Sequence, residues 1–153
     1  MDFSNSFRIC ASGLAAQRAK LDVVVSNLSN ASTTSTPEGG PYKRKRVVFS
    51  TEAIKGPFNS VLKDALRMVK VKDVVEDQDG FRMVYDPGHP DADAKGMVAM
   101  PNVNVIQEMA DMIVANRAYE ASVTAFDATK NMALKTLENL QAVPAEHHAA
   151  WMP

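Results

Sequence analysis

The residues best equipped for chemistry are a histidine and two carboxylates in one short run, His89, Asp91 and Asp93. A histidine beside two aspartates can bind a metal ion or relay a proton, so a small metal-dependent enzyme is one reading. The continuation Asp91–Ala–Asp93–Ala–Lys95–Gly96 opens like a calcium-binding EF-hand loop. It fails where calcium is most demanding. Lys95 puts a cation at a ligand position, and Asn102 stands where a bidentate glutamate is needed. His147 and His148 are adjacent and lack the i,i+4 spacing that sets two ligands on one helix face. His89 is therefore expected to be a turn residue, following the tight turn of Asp86–Pro87–Gly88.

The densest positive charge is Lys43–Arg44–Lys45–Arg46. It could meet nucleic-acid phosphates, but it leads into a strand and has no interleaved aromatics. The 153-residue chain carries 17 basic and 18 acidic residues, a net charge of -1 that offers no global attraction to nucleic acid or an anionic membrane. A solvated strand end or a salt-bridging patch toward a partner fits better. The single cysteine excludes an intramolecular disulfide, and Cys10 reads as a small buried hydrophobe. There is no phosphate-binding glycine loop and no nucleophile elbow, so neither an enzyme nor a cofactor is expected.

What remains is shape. An apolar seam with alternating spacings of four and three runs through Phe3, Phe7, Cys10, Leu14, Gln17, Leu21, Val24 and Leu28. A second runs through Val105, Met109, Met112, Asn116, Tyr119, Val123, Phe126, Lys130, Ala133, Leu137 and Leu140. Such spacing lines one edge of a helix, the edge a second helix covers. Asn116 and Lys130 interrupt the second seam; a buried Asn116 would fix register, and an exposed one would mark a groove or the end of pairing.

The first helix is expected from about Phe3 to Asn30, stopped by the Ser- and Thr-rich segment that ends at Pro37, Gly39 and Gly40. Strand patterns follow over Tyr42–Thr51, Met68–Val75 and Phe81–Tyr85, the last two joined by a hairpin turn at Asp79–Gly80. Val61–Leu66 suits a short helix. Asn104 is an N-cap for the last helix, which runs to about Ala142 before Pro144. The expected fold is α+β: long N- and C-terminal helices paired as an antiparallel coiled coil, with a small β-rich, irregular region inserted. The corresponding segments are 1–32, 33–101, 102–142 and a flexible extension, 143–153.

Ile9, Val23 and Val25 lie off the first seam, and Ile106, Ile113, Met132 and Leu134 lie off the second. A helical hairpin alone would leave these wet, so burial between chains is expected over burial by the small middle region. Repeated heterologous contacts would then build an open helical assembly. No run approaches the roughly 20 apolar residues of a membrane span. Arg8, Arg18 and Lys20 also break up any signal-peptide core.

The motif Ser12–Gly–Leu–Ala–Ala–Gln17, Leu21–Asp22 and Ser26–Asn27–Leu28–Ser29–Asn30–Ala31 resembles that of the bacterial flagellar rod and hook proteins. The runs Tyr85–Asp93, Met100–Asn104, Glu108–Met109 and Arg117–Ala121, with a modest middle region, extend the resemblance to a rod-building member. Ser29, Met68 and Ser122 depart from the usual pattern. The resemblance implies a non-enzymatic rod subunit of the basal body, spanning the periplasm and exported by the type III apparatus without signal cleavage. Its implied partners are copies of itself, proximal and distal rod proteins and components next to the MS ring. It also implies that Asn27, Asn30 and Pro101–Asn104 set where the helices enter and leave the middle region. A cytosolic coiled-coil adaptor is the alternative.

Overall fold

A computed structural model describes residues 3–54 and 66–141. The elements are α1 (Phe3–Ser29), β1 (Lys45–Ala53), β2 (Arg67–Glu76), β3 (Arg82–Tyr85), β4 (Met97–Met100) and α2 (Val105–Gln141). The expected helix at Val61–Leu66 falls almost wholly outside the described residues; Leu66 itself is not helical. The end of the last helix at Ala142, the two histidines and the extension 143–153 also lie outside them.

Both helices end where local chemistry stops them. Asn30 turns its side-chain amide back to the Ser26 carbonyl at 2.8 Å and accepts from the Thr33 hydroxyl, closing the last turn of α1. Asn104 caps α2, its Oδ1 accepting from the backbone N–H groups of Ile106 and Gln107 at 3.1 and 3.2 Å.

The helices lie against each other in opposite directions. Asn27 meets Glu108, Lys20 meets Asp111, and the rings of Phe7 and Phe126 meet edge to face at 5.1 Å between centroids. Contacts thus climb one helix as they descend the other. At 37 residues against 27, α2 outruns α1. Beyond the start of α1 it continues for roughly eleven residues, about 16 Å at ~1.5 Å per residue.

The face that α2 turns to α1 carries Glu108, Ala115, Ser122 and Thr129, seven residues apart, with Met112, Tyr119, Phe126 and Ala133 alongside. The second line of the expected seam is present at Met112, Tyr119 and Phe126. The other line is rotated by one residue, because small side chains let the backbones approach where Met109, Asn116 and Val123 would hold them apart. Ala115 has no exposed surface, and Ser122 Oγ stands 3.7 Å from where a Cβ on Gly13 would sit.

The middle region makes two separate two-stranded antiparallel sheets, β1–β2 and β3–β4. The expected pairing of the second and third strands does not form. Asp77 donates its backbone N–H to Arg44 at 2.7 Å, and Asn102 donates to the carbonyls of Asp77 and Asp79. The Asp79–Gly80 segment is pinned below the entry to α2 and cannot fold back on β2. β3 instead pairs with β4, a run too short to register as a strand in the sequence. Asp86–His89 does close a tight turn between them, with Pro87 and Gly88 at its centre. The β1–β2 hairpin crosses α1, touching it through Lys45 with Asn27 at one end and Val69 with Ser12 at the other.

Two substitutions on the helix–helix contact should move stability in opposite directions. Ala115→Leu overfills a site with no free surface and should cost about 1–3 kcal/mol. Gly13→Ala adds a methyl at ordinary contact distance and removes a mid-helix glycine, which should add about 0.5–1 kcal/mol. Urea unfolding followed by circular dichroism measures both.

Candidate assembly interface and its polar anchor

The most tightly built feature is polar. Glu108 is fully buried in the first turn of α2, and Asn27, 1% exposed, is buried near the end of α1. Asn27 Nδ2 donates to Glu108 Oε2 and to the Lys45 carbonyl, each at 2.9 Å. Its Oδ1 accepts from the Lys45 backbone N–H at 2.9 Å and from the Tyr42 hydroxyl at 3.0 Å. All the side chain's hydrogen-bonding capacity is used.

Arg44 occupies the other side of Glu108. Its Nε donates to Glu108 Oε1 at 2.6 Å, one terminal nitrogen reaches Asp77 at 3.3 Å, and the other lies 3.7 Å from Asp111. Burial acts to lower the Arg44 pKa, but hydrogen bonds and charge from Glu108, then Asp77, outweigh it and raise the value. A raised value stabilises the fold at every pH below the unfolded guanidinium pKa and lapses only above it. Across neutral pH the Arg44 side of the cluster is therefore constant. Asn102 Oδ1 accepts from the Arg44 backbone N–H at 2.7 Å, tying in the segment before α2. Among the described residues no buried side-chain nitrogen or oxygen lacks a hydrogen-bond partner.

This geometry redistributes the chemistry-bearing residues. Within the basic run, Lys43 pairs with Glu76, Arg44 with three carboxylates and Arg46 with Asp77. Those charges are largely consumed inside the chain. His89 Nδ1 accepts from the Asp91 backbone N–H, Asp91 accepts from Thr34, and Asp93 Oδ1 accepts from the backbones of Lys95 and Met97. These groups organise the β3–β4 connection. Among the described residues no cluster of three or more His, Cys, Asp and Glu is placed to hold a metal ion.

The seam residues divide by helix. On α1, Val24 and Asn27 are buried, and Phe3, Phe7, Leu14, Leu21, Leu28 and Asn30 are half-buried. On α2, Met112, Tyr119 and Phe126 are half-buried, whereas Val105, Met109, Asn116, Val123 and Leu137 are exposed. Asn116 faces solvent and donates to Glu120 at 3.0 Å. Off the seams, the β1–β2 hairpin and α2 leave Ile9 and Val23 half-covered, but Ile106 is 81% exposed and Ile113 56%. Ile106, Met109 and Ile113 thus form a short apolar stripe on α2, joined by a groove between Leu21, Val25, Met112 and Ile113.

Glu108, Arg44, Tyr42, Asp77 and Asn102 are anchor residues that the seam analysis does not reach. Glu108 reads in sequence as a favourable charge near a helix N-terminus. Its seven-residue spacing to Ala115, Ser122 and Thr129 was the available signal. Glu108→Ala leaves the Arg44 guanidinium without its closest partner and should cost about 3 kcal/mol or more. Glu108→Gln, which keeps an acceptor for Asn27 or Arg44, should cost less in the same denaturation experiment.

Comparison with known proteins agrees with this architecture. The family described as flagella basal body rod protein matches residues 7–35, and that described as flagellar basal body rod FlgEFG protein C-terminal matches residues 94–140. The flagellar basal-body rod protein FlgC of Borreliella burgdorferi is 40% identical over 151 residues, covering 92% of this chain and 99% of the relative. FlgC of Escherichia coli O157:H7 is 45% identical over 137 residues, covering 90% and 97%. FlgC of Bacillus subtilis is 43% identical over 145 residues, covering 88% and 95%. Similarity of this degree, running through both helices and the region between them, means that the chain belongs to the FlgC family of flagellar basal-body rod proteins, structural subunits and not enzymes.

Proposed function

We propose that this rod subunit polymerises through its terminal helices, residues 1–32 and 102–142, to form part of a hollow drive shaft that transmits torque and conducts exported subunits. The observation that carries the reading is the unequal covering of the two helices. α1 is sheathed by α2 on one side and by the β1–β2 hairpin on another. α2 keeps Ile106, Met109, Ile113, Val114, Met132, Leu134, Leu137 and Leu140 exposed. Each such side chain gains about 1.5–3 kcal/mol on full burial, enough for a few of them to hold one subunit to the next.

In the assembled rod the helices pack as an antiparallel coiled coil within each subunit. Val105, Met109, Asn116, Val123 and Leu137 then belong to contacts between subunits, and Leu14, Leu21, Val24, Leu28, Met112, Tyr119 and Phe126 to the pair itself. The neighbours are further copies, other proximal and distal rod proteins and components beside the MS ring, reached by way of the type III export apparatus. No described helix is long and apolar enough to cross a membrane.

Ile113→Glu tests the contact without touching the subunit's own core. The variant should match the parent in circular dichroism and urea midpoint, yet fail to co-purify with detergent-extracted basal bodies and fail to support swimming. Val24→Asp should fail in both respects, because Val24 is buried within the chain. Normal swimming with Ile113→Glu would remove the stripe from the interface.

A further inference from the structure

The β1–β2 hairpin has two outer edges, and they are treated differently. Strand parity follows from three bonds. The Asp77 N–H to the Arg44 carbonyl and the Ile54 N–H to the Leu66 carbonyl place even-numbered β1 residues in the ladder with β2. The paired bonds of Lys45 with the Asn27 carboxamide place Lys45 outward. Alternation then sends the backbone N–H and C=O of Val47, Phe49 and Thr51 outward as well. On the opposite edge Val69 N–H is taken by Ser12 Oγ at 3.2 Å, so β2 rests against α1. Among the described residues nothing pairs with the outward backbone groups of Val47, Phe49 or Thr51.

The edge is also prepared for an occupant. At Lys45 the side chain of Asn27 offers a donor and an acceptor in the arrangement of a neighbouring strand, so the ladder already continues one residue beyond the sheet. Directly after it opens a cleft of about 210 Å³ lined by Val23, Val24, Val47 and Phe49. Four cations, Lys20, Arg44, Lys45 and Arg46, also line it, against two carboxylates, Glu108 and Asp111. Both carboxylates are engaged by Arg44 and Lys20, and Arg46 is paired with Asp77, which leaves Lys45 as the surplus positive charge among the described residues.

We propose that the outer edge of β1 from Val47 to Thr51 accepts an added β-strand from a partner protein, an extended segment that alternates apolar and acidic residues. Backbone pairing supplies the contact, the Val23–Val24 floor takes the apolar side chains, and the positive charge left at Lys45 selects acidic over basic segments. This surface lies on the middle region and is separate from the α2 stripe.

The test uses the full purified chain and a synthetic peptide of alternating glutamate and valine, followed by amide hydrogen exchange. Exchange at Val47, Phe49 and Thr51 should slow by about tenfold or more, while Arg46, Val48 and Ser50, already in the ladder, change little. A peptide of alternating lysine and valine should give no such slowing. N-methylating the glutamate–valine peptide at alternate amides should abolish the effect in one of the two possible phases, with no change to the protein. Val47→Pro removes one outward donor without touching the ladder and should weaken the slowing while Val48 and Ser50 stay protected. Uniform slowing along β1, equal response to the lysine peptide, or no response to either would overturn the proposal.

Discussion

The contact between Asn27 and Glu108 fixes the arrangement of everything else. Asn27 belongs to α1, Glu108 to α2, Lys45 and Arg44 to the start of β1, and Asp77 to the end of β2. Four chain segments, distant in sequence, meet around one carboxylate and one amide. A purely apolar contact could slide by a turn at modest cost. A buried carboxylate cannot, because a slip strips it of charged and amide partners together and leaves it unpaired away from water. The cluster therefore sets the register of the two helices and the direction in which the hairpin leaves them.

Given that register, the division of apolar surface follows. The small residues Ala115, Ser122 and Thr129 lie in line with Glu108, so α2 can approach α1 closely only on that face. Met109, Ile113 and Val123 are turned away as a result. α1, caught between α2 and the hairpin, has little left to offer. The subunit is thus asymmetric, with one sheathed helix and one half-bare helix.

Much of this was legible in the residues. The two helices, the cap at Asn104, three of the four strands and the family motif can all be found without coordinates, because each depends on near neighbours in the chain. The phase of the α2 seam could not be found that way. Following the four-and-three apolar spacing leads to Met109, Asn116 and Val123, whereas close packing rewards small side chains. The polar anchor escaped for a different reason. Arg44 sits in a run of four cations that looks like a solvated patch, and only the fold brings Asp77 and Glu108 to it. The strand pairing was likewise decided by Asn102, whose two donor bonds hold Asp79 and Gly80 away from the hairpin they would otherwise make.

The overhang of α2 past the start of α1 gives the molecule a polarity. One end is locked by charge and hydrogen bonds; the other is a single helix, without a partner helix among the described residues, carrying Leu134, Leu137 and Leu140. With a net charge of only -1, no long-range repulsion keeps such ends apart. Free copies of this subunit are consequently prone to indiscriminate sticking. Covering this end against a neighbouring protein is therefore a colloidal safeguard as much as a joint.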